Sequence, residues 1–262
     1  MIKEILIKII SFFGLRVVRL KKIYSIDRDI NLLIDEEEPL VFDVGANRGE
    51  SISRFKKMFP KSNIHSFEPN SEEAEKLAIK YKSNSSIVLN NVAVGEKSGN
   101  LEFNVLVNSG HSSFKKFIPN TTWLKKRSEK RGVKSENYIK EKINTKMIML
   151  DDYCSKNNIA KIDILKIDTQ GTEDKVLDGA SSLLKQSKIK IIVVEIIFSD
   201  LYENTLSIYD IEKHLIPNKY RLFGVLNGGS LIANYIYQTD HIYVSDDMYE
   251  KFKKNKSPFF NN

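Results

Sequence analysis

Five short apolar runs punctuate the chain: Leu40 to Val44, Ile64 to Phe67, Ile87 to Val92, Ile162 to Ile167 and Ile189 to Ile196. Between them lie stretches of helical length and period, Ser51 to Phe59, Ser71 to Tyr81, Asp151 to Asn158 and Thr172 to Lys185. Short apolar runs alternating with amphipathic helices predict β-α repetition, hence a parallel sheet covered by helices. Two further alternating stretches, GNLEFNVLV and INTKMIML, read as strands that bracket an insertion over 107–142. The stretch YRLFGVLNGGSLIANYIYQTDHIYVS reads as a terminal antiparallel pair joined by a Gly-rich turn. The order predicts one α/β domain over 39–262, preceded by an N-terminal helical arm over 1–38.

In that arm Ile2, Ile5, Leu6, Ile9, Phe13, Val17 and Leu20 fall on one helical face, and Glu4, Lys8, Arg19 and Lys22 lie elsewhere. Glu4, Lys8, Gly14 and Arg16 break the apolar runs short of the roughly 18–20 residues a membrane span needs, and no small-residue cleavage site follows. An amphipathic helix with a basic rim is therefore expected over 1–24. Docking on the domain or on a second copy, giving a homo-oligomer, is favoured because Arg16 intrudes on the apolar face. Peripheral contact with an anionic membrane is the other outlet.

Composition changes this picture little: 262 residues, 41% of them hydrophobic and 29% charged, are ordinary for a globular protein. The single cysteine, Cys154, excludes a disulfide framework and fits a reducing cytoplasm, with the inner face of the membrane as the place the arm could reach. Charge is more informative. Residues 107–142 carry ten bases against three acids, and residues 1–26 carry six bases against Glu4, so two basic attachments sit on a mildly acidic body.

Candidate chemistry begins at PLVFDVGANRGES, where an apolar strand runs into D-x-G-A-N-x-G from Asp43 to Gly49. In an open α/β sheet the first strand-to-helix turn presents free backbone N–H groups to a ligand. Gly45 and Gly49 are read as removing side chains where a ligand must approach the backbone, with Ala46 and Asn47 between them. The pattern is not the G-x-G-x-x-G of a dinucleotide pyrophosphate, so a polar adenosine-type ligand is expected instead of a nicotinamide cofactor. The second strand ends in HSFEPN, which places Glu68 at its tip, where a carboxylate grips ribose hydroxyls. Asn91, Ala93 and Val94 end the third run, next to where an adenine would lie. Glu173 and Asp174 read as acids in the first turn of a helix, without a catalytic role. Asp168, at the tip of the central strand, sits where chemistry happens in this architecture.

Taken together, FDVGANRGES, FEPN, NVAVG, MLDDY, ILKIDTQGTEDKVLDGA and TDHIYV resemble the FkbM family of S-adenosylmethionine-dependent methyltransferases, over roughly residues 39–245. The resemblance implies a Rossmann-like, seven-stranded methyltransferase sheet, mostly parallel with a terminal antiparallel strand. It further implies S-adenosylmethionine as cofactor, with Asp43, Gly45, Asn47 and Gly49 around its methionine part and Glu68 on its ribose. Members methylate hydroxyl groups, often on sugars of natural products or surface glycans, so a sugar or glycan precursor is the expected acceptor. Gln170 stands at a position that often reads as Glu in relatives. Residues 1–38 and 107–142 lie outside the clear match.

Methyl transfer to oxygen needs the hydroxyl held in line and its proton taken up. Asp168 and His111, in SGHSSF, are the candidate bases, whereas His65, His214 and His241 read as structural. A divalent ion shared by Asp168 and Glu195 is the alternative means of activation. The basic insertion, with Phe114, Phe117, Trp123 and Tyr138 interleaved, suits an acceptor bearing phosphate. The rival reading is an RNA-binding protein or RNA ribose methyltransferase using that insertion. Nucleic acid is the less favoured partner.

Overall fold

In the computed structural model, residues 25–118, 121–227 and 236–256 are described. The amphipathic stripe expected over 1–24 and the Gly-rich turn at 228–235 lie outside the described residues. No helix among the described residues is long and apolar enough to cross a membrane.

The chain builds α1 (Ile26–Leu33), β1 (Leu40–Val44), α2 (Glu50–Met58), β2 (Asn63–Phe67), α3 (Ser71–Tyr81), β3 (Ile87–Asn90), β4 (Ala93–Val94) and β5 (Gly99–Leu106). It continues through α4 (Thr122–Lys130), β6 (Ile139–Ile148), α5 (Leu150–Lys156), β7 (Ile162–Ile167), α6 (Glu173–Asp178) and α7 (Ser181–Lys185). The last elements are β8 (Ile189–Ile197), α8 (Ile208–Leu215), β9 (Tyr220–Asn227), β10 (Gln238–Ser245) and α9 (Asp246–Lys256). Seven strands form the main sheet in the order β3-β2-β1-β7-β8-β10-β9, and β4-β6-β5 form a second, smaller one. The main sheet is parallel except for β10, which runs antiparallel to both neighbours and so lies one strand in from the edge.

Successive strand residues point to opposite faces, so a strand covered on both sides must be apolar throughout. Phe42, Leu165, Ile192 and Val194 pack into one core layer. Their chain neighbours Val41, Ile164, Ile191 and Val193 pack into the other. Helix α1 joins the second layer through Ile26, Ile30 and Leu33, one stripe at helical spacing, so the described part of the 1–38 segment is fused to the sheet.

Three elements depart from the pattern read in the sequence. The run Ile87–Val92 leaves the main sheet after Asn90, because Asn90 and Asn91 donate to the Ser66 and Glu68 carbonyls and turn the chain away. Ala93 and Val94 then pair with β6. The strand expected from Ile143 begins earlier, at Ile139, so the end of the basic insertion belongs to a ladder in which Lys142 pairs with Glu102 at 2.7 Å. The helix expected over Thr172–Lys185 is split at Gly179 and Ala180. There the Asp151 carboxylate accepts from the Ser182 and Leu183 amides at 2.8 and 3.0 Å, giving α7 its own cap.

Gly179, at the split, packs directly against the turn at Gly95. A Cβ at that position would lie 2.0 Å from the Gly95 carbonyl oxygen, a backbone atom that can give way only with its whole turn. Gly179→Ala is therefore expected to destabilise the fold by about 1–3 kcal/mol through overpacking. Urea denaturation measures this, and a midpoint equal to wild type would show that the two turns do not constrain each other.

Candidate functional site

The strand order reverses between β1 and β7, and the turns that follow β1, β2 and β7 open side by side at their carboxyl ends, where α/β sheets bind ligands. The cleft there is open to solvent, with about 580 Å³ of space between its walls and mouth. Asn47 and Glu68 stand in its wall with apolar Val92, Ala93, Phe103 and Phe114, and Asp168, Thr169 and Gln170 line it as well.

The turn after β1 is shaped by contacts within the protein. Gly45 has φ +84°, and a Cβ on it would lie 1.9 Å from the Asp168 carbonyl oxygen. A side chain is thus excluded at 45 by the adjacent strand's own backbone, a more immediate reason than ligand approach. Gly49, at φ +76°, begins α2, and its Cβ would meet Leu77 Cδ2 at 2.7 Å, so this glycine answers to helix packing and does not line the cleft. Ala46 packs into the core with Ile52 and Phe55. Asn47 does face the cleft. Its N–H donates to Glu68 Oε2 at 2.7 Å, while its side-chain Oδ1 is buried with no partner.

Glu68 is buried and also accepts from the Asn70 N–H at 2.8 Å. Burial pushes its pKa up to about 7, outweighing the two backbone donors, with Glu73 and Asp43 adding to the rise. Ala93 lines the cleft, and Asn91 sits beside it, its amide spent on the Glu68 carbonyl.

Under the turn lies a charged triad. Asp43 is wholly buried, away from the cleft, and pairs with Lys166 Nζ at 3.4 Å. The same ammonium reaches Asp168 Oδ2 at 3.2 Å and the Gly45 carbonyl at 3.3 Å. Burial favours neutral Asp43 and raises its pKa more than Lys166 lowers it. For Asp168 the balance is reversed: burial pushes up, but Lys166, followed by hydrogen bonds from neighbours, leaves it lowered and ionised. Lys166 itself is raised, because the two aspartates outweigh the cost of burying it.

Asp168 Oδ1 accepts from Gln170 Nε2 at 2.8 Å, and the same amide donates to Glu195 Oε2 at 2.7 Å. Burial, then Asp168, drives Glu195 far above the usual carboxylate range, so the proton of this acidic pair resides on Glu195. The expected metal pair is thus bridged by an amide, and among the described residues no group of three His, Cys, Asp or Glu side chains is placed to hold an ion.

Gln170 and Gly171 adopt φ of 59° and 105°, strained for the first and natural for the second. Glu173 holds them there. It is in the first helical turn, as read from the sequence, but its buried carboxylate folds back to accept from the Thr169 and Gly171 amides at 2.9 and 3.0 Å. Burial raises its pKa to about 7.

His111 stands behind the cleft, and its neighbours Ser109, Gly110 and Ser112 line it. Its ring meets Trp123 edge-on at 5.0 Å, and its pKa falls to about 4, chiefly by burial and then by Arg127 and Arg131. It is neutral and weakly basic near neutral pH. His65 stacks on Phe42 and bonds Tyr153, while His214 and His241 lie in α8 and β10, as structural residues do. Lys166 and the bridging role of Gln170 were missed in the sequence. The signal for Lys166 was present: a lysine inside the apolar run ILKI, two residues before Asp168 and hence on its face.

Residues 43–222 match the family model of the Methyltransferase FkbM domain. The chain is 26% identical over 184 residues to the 2-O-methyltransferase NoeI of Sinorhizobium fredii (strain NBRC 101917 / NGR234), covering 70% of this chain and 73% of the relative. The crystal structure of Methyltransferase FkbM from Methylobacillus flagellatus KT superposes with a TM-score of 0.50 at 14% identity, over 79% of this chain and 44% of that one, which supports the fold. With a match that covers more than half of the chain and includes the turns around the cleft, this chain belongs to the FkbM methyltransferase family.

Proposed function

We propose that the chain is an S-adenosylmethionine-dependent O-methyltransferase acting on a hydroxyl of a sugar or glycan precursor, in surface-polysaccharide or natural-product biosynthesis in the cytoplasm. The observation that carries this reading is that one cleft joins a ribose-type carboxylate, Glu68, to an ionised acid, Asp168. Two buried polar atoms beside it, Asn47 Oδ1 and Ser109 Oγ, have no partner in the protein, and a polar ligand in the cleft would satisfy such groups. The relative's name, a 2-O-methyltransferase, supports oxygen as the acceptor atom.

Asn47 and Glu68 would hold the ribose end, with Ala93, Phe103 and Phe114 as the apolar wall. The cofactor, when bound, supplies an electrophilic methyl group on a sulfonium. Asp168 accepts a hydrogen bond from the acceptor hydroxyl and orients it, and its lowered pKa makes it a better acceptor and charge stabiliser than a strong base. Gln170 and Lys166 fix the carboxylate on both of its oxygens.

Radiolabelled S-adenosylmethionine with fractionated nucleotide sugars, lipid-linked sugars and RNA tests the acceptor class directly. Label in the sugar fractions is expected, and label in RNA alone would favour the ribose methyltransferase instead. Within that assay Asp168→Asn is expected to lower turnover by about 10² to 10⁴ while S-adenosylhomocysteine still binds. Wild-type turnover in this variant would remove Asp168 from the reaction. Adding Mg²⁺ or EDTA to the wild-type enzyme separates an ion held by Asp168 and Glu195 from hydroxyl orientation by Asp168 alone.

The raised pKa of Glu68 gives a second expectation. A ribose diol donates to the carboxylate, so binding favours the ionised form, which predominates above pH 7 and is depleted below it. S-adenosylhomocysteine affinity should therefore rise about tenfold from pH 6 to pH 8. In Glu68→Gln the profile should flatten, measured by calorimetry. If the slope survives in that variant it belongs to Glu173, which also titrates near 7, and the ribose role of Glu68 fails.

A further inference from the structure

The basic insertion is not uniformly charged once folded. Lys140 pairs with Glu72 and Lys142 with Glu102, each at 2.7 Å, and Lys115 donates to the Asn204 carbonyl at 2.8 Å. Among the described residues Arg127 and Arg131, like the exposed Lys116, Lys125, Lys126, Lys130 and Lys134, form no ion pair with a carboxylate, and of these bases Arg127 is the one that is half-buried. The Arg127 guanidinium lies over the Trp123 ring, 5.1 Å from its centroid, and Arg131 Nη2 lies 3.5 Å from Asn108 Oδ1. Spaced four apart along α4 and its C-terminal end, Trp123, Arg127 and Arg131 share one face.

That face abuts the acceptor end of the cleft. Asp168 bonds Gln170, whose Oε1 accepts from the Tyr202 hydroxyl at 3.2 Å, and that hydroxyl also donates to the His111 carbonyl at 2.8 Å. The His111 ring then touches Trp123 and Asn108. Ser109 and Gly110, in the same turn, line the cleft. A molecule with its hydroxyl at Asp168 reaches the two arginines by extending over this turn, and one of them lies over an indole. A planar guanidinium presented this way matches two oxygens of a phosphate, which a lysine does not.

We infer that Arg127 and Arg131, with Trp123, form a binding site for a phosphate or diphosphate carried by the acceptor. This assigns the substrate class as a sugar bearing a phosphoryl group, and it rests on the O-methyltransferase reading of the cleft. The phosphoryl group can be part of a nucleoside diphosphate or of a polyprenyl diphosphate, and the site recognises what the two share.

Calorimetry on the full chain, with inorganic pyrophosphate as probe and S-adenosylhomocysteine absent or saturating, tests the assignment. Wild type is expected to bind pyrophosphate, more weakly as salt is raised. The double variant Arg127→Gln, Arg131→Gln is expected to bind it at least about tenfold more weakly, the loss for a charged hydrogen bond, with unchanged S-adenosylhomocysteine affinity. Lys142→Gln, whose parent is already neutralised by Glu102, should bind pyrophosphate as wild type does. Uridine diphosphate and farnesyl diphosphate form the second arm: tighter binding of one than of pyrophosphate identifies a nucleoside or a lipid carrier, and equal binding leaves the diphosphate as the recognised group. Absence of pyrophosphate binding in wild type, full binding in the double variant, or displacement by lower concentrations of polyuridylate RNA than of uridine diphosphate overturns the inference. Loss of S-adenosylhomocysteine binding in wild type counts instead against the cofactor reading, because pyrophosphate is titrated separately.

Discussion

The site depends on one buried cation. Lys166 sits between Asp43 and Asp168 on two adjacent strands, and the main-chain carbonyl of Gly45 completes its surroundings. Removing one member of a buried charged group leaves the others uncompensated, so the three are retained or lost together. The lysine keeps Asp168 ionised beside a cleft, where burial alone would have neutralised it. It also joins the turn after β1 to the turn after β7, which already touch so closely that only a glycine fits at 45. The two ends of the cleft are therefore one rigid construction.

The second stabilising device is the Glu173 carboxylate, which holds the 169–171 turn in a conformation that Gln170 does not adopt readily. What the strained turn delivers is a side-chain amide between two acids, donating to Asp168 and Glu195 with one nitrogen. A glutamate at 170 would set a third carboxylate there and require another proton. The amide makes the network in this chain independent of that proton, which bears on its pH behaviour more than on its shape.

Much of the architecture was legible in the sequence because it follows from period. Runs such as ILKI and KIIVVEII are apolar at consecutive positions, which a sheet covered on both faces demands, and the intervening helices repeat at 3.6 residues. The cleft residues Glu68 and Asp168 were legible because they directly follow strands, and Asn47 because it lies in the turn after β1. What was not legible depends on contacts between distant segments. Gly49 looks like a ligand glycine but answers to Leu77 and Tyr81, and Gly179 has no room for a side chain because Gly95 lies across from it. The neutralisation of Lys140 and Lys142 within the basic insertion needed the positions of Glu72 and Glu102, 68 and 40 residues away from their partners.

Leu106 and Ile139 face each other in the ladder of the smaller sheet, so the chain between them starts and ends side by side, and it is pinned again where Phe117 bridges to Tyr202. The root of that excursion is tied to the Glu68 end of the cleft, through Lys140 on Glu72 and the Thr145 hydroxyl on the Pro69 carbonyl. Because Ser109, Gly110, Ser112 and Phe114 of this excursion line the cleft, a change in its length or chemistry reshapes the cleft wall and the arginine face together.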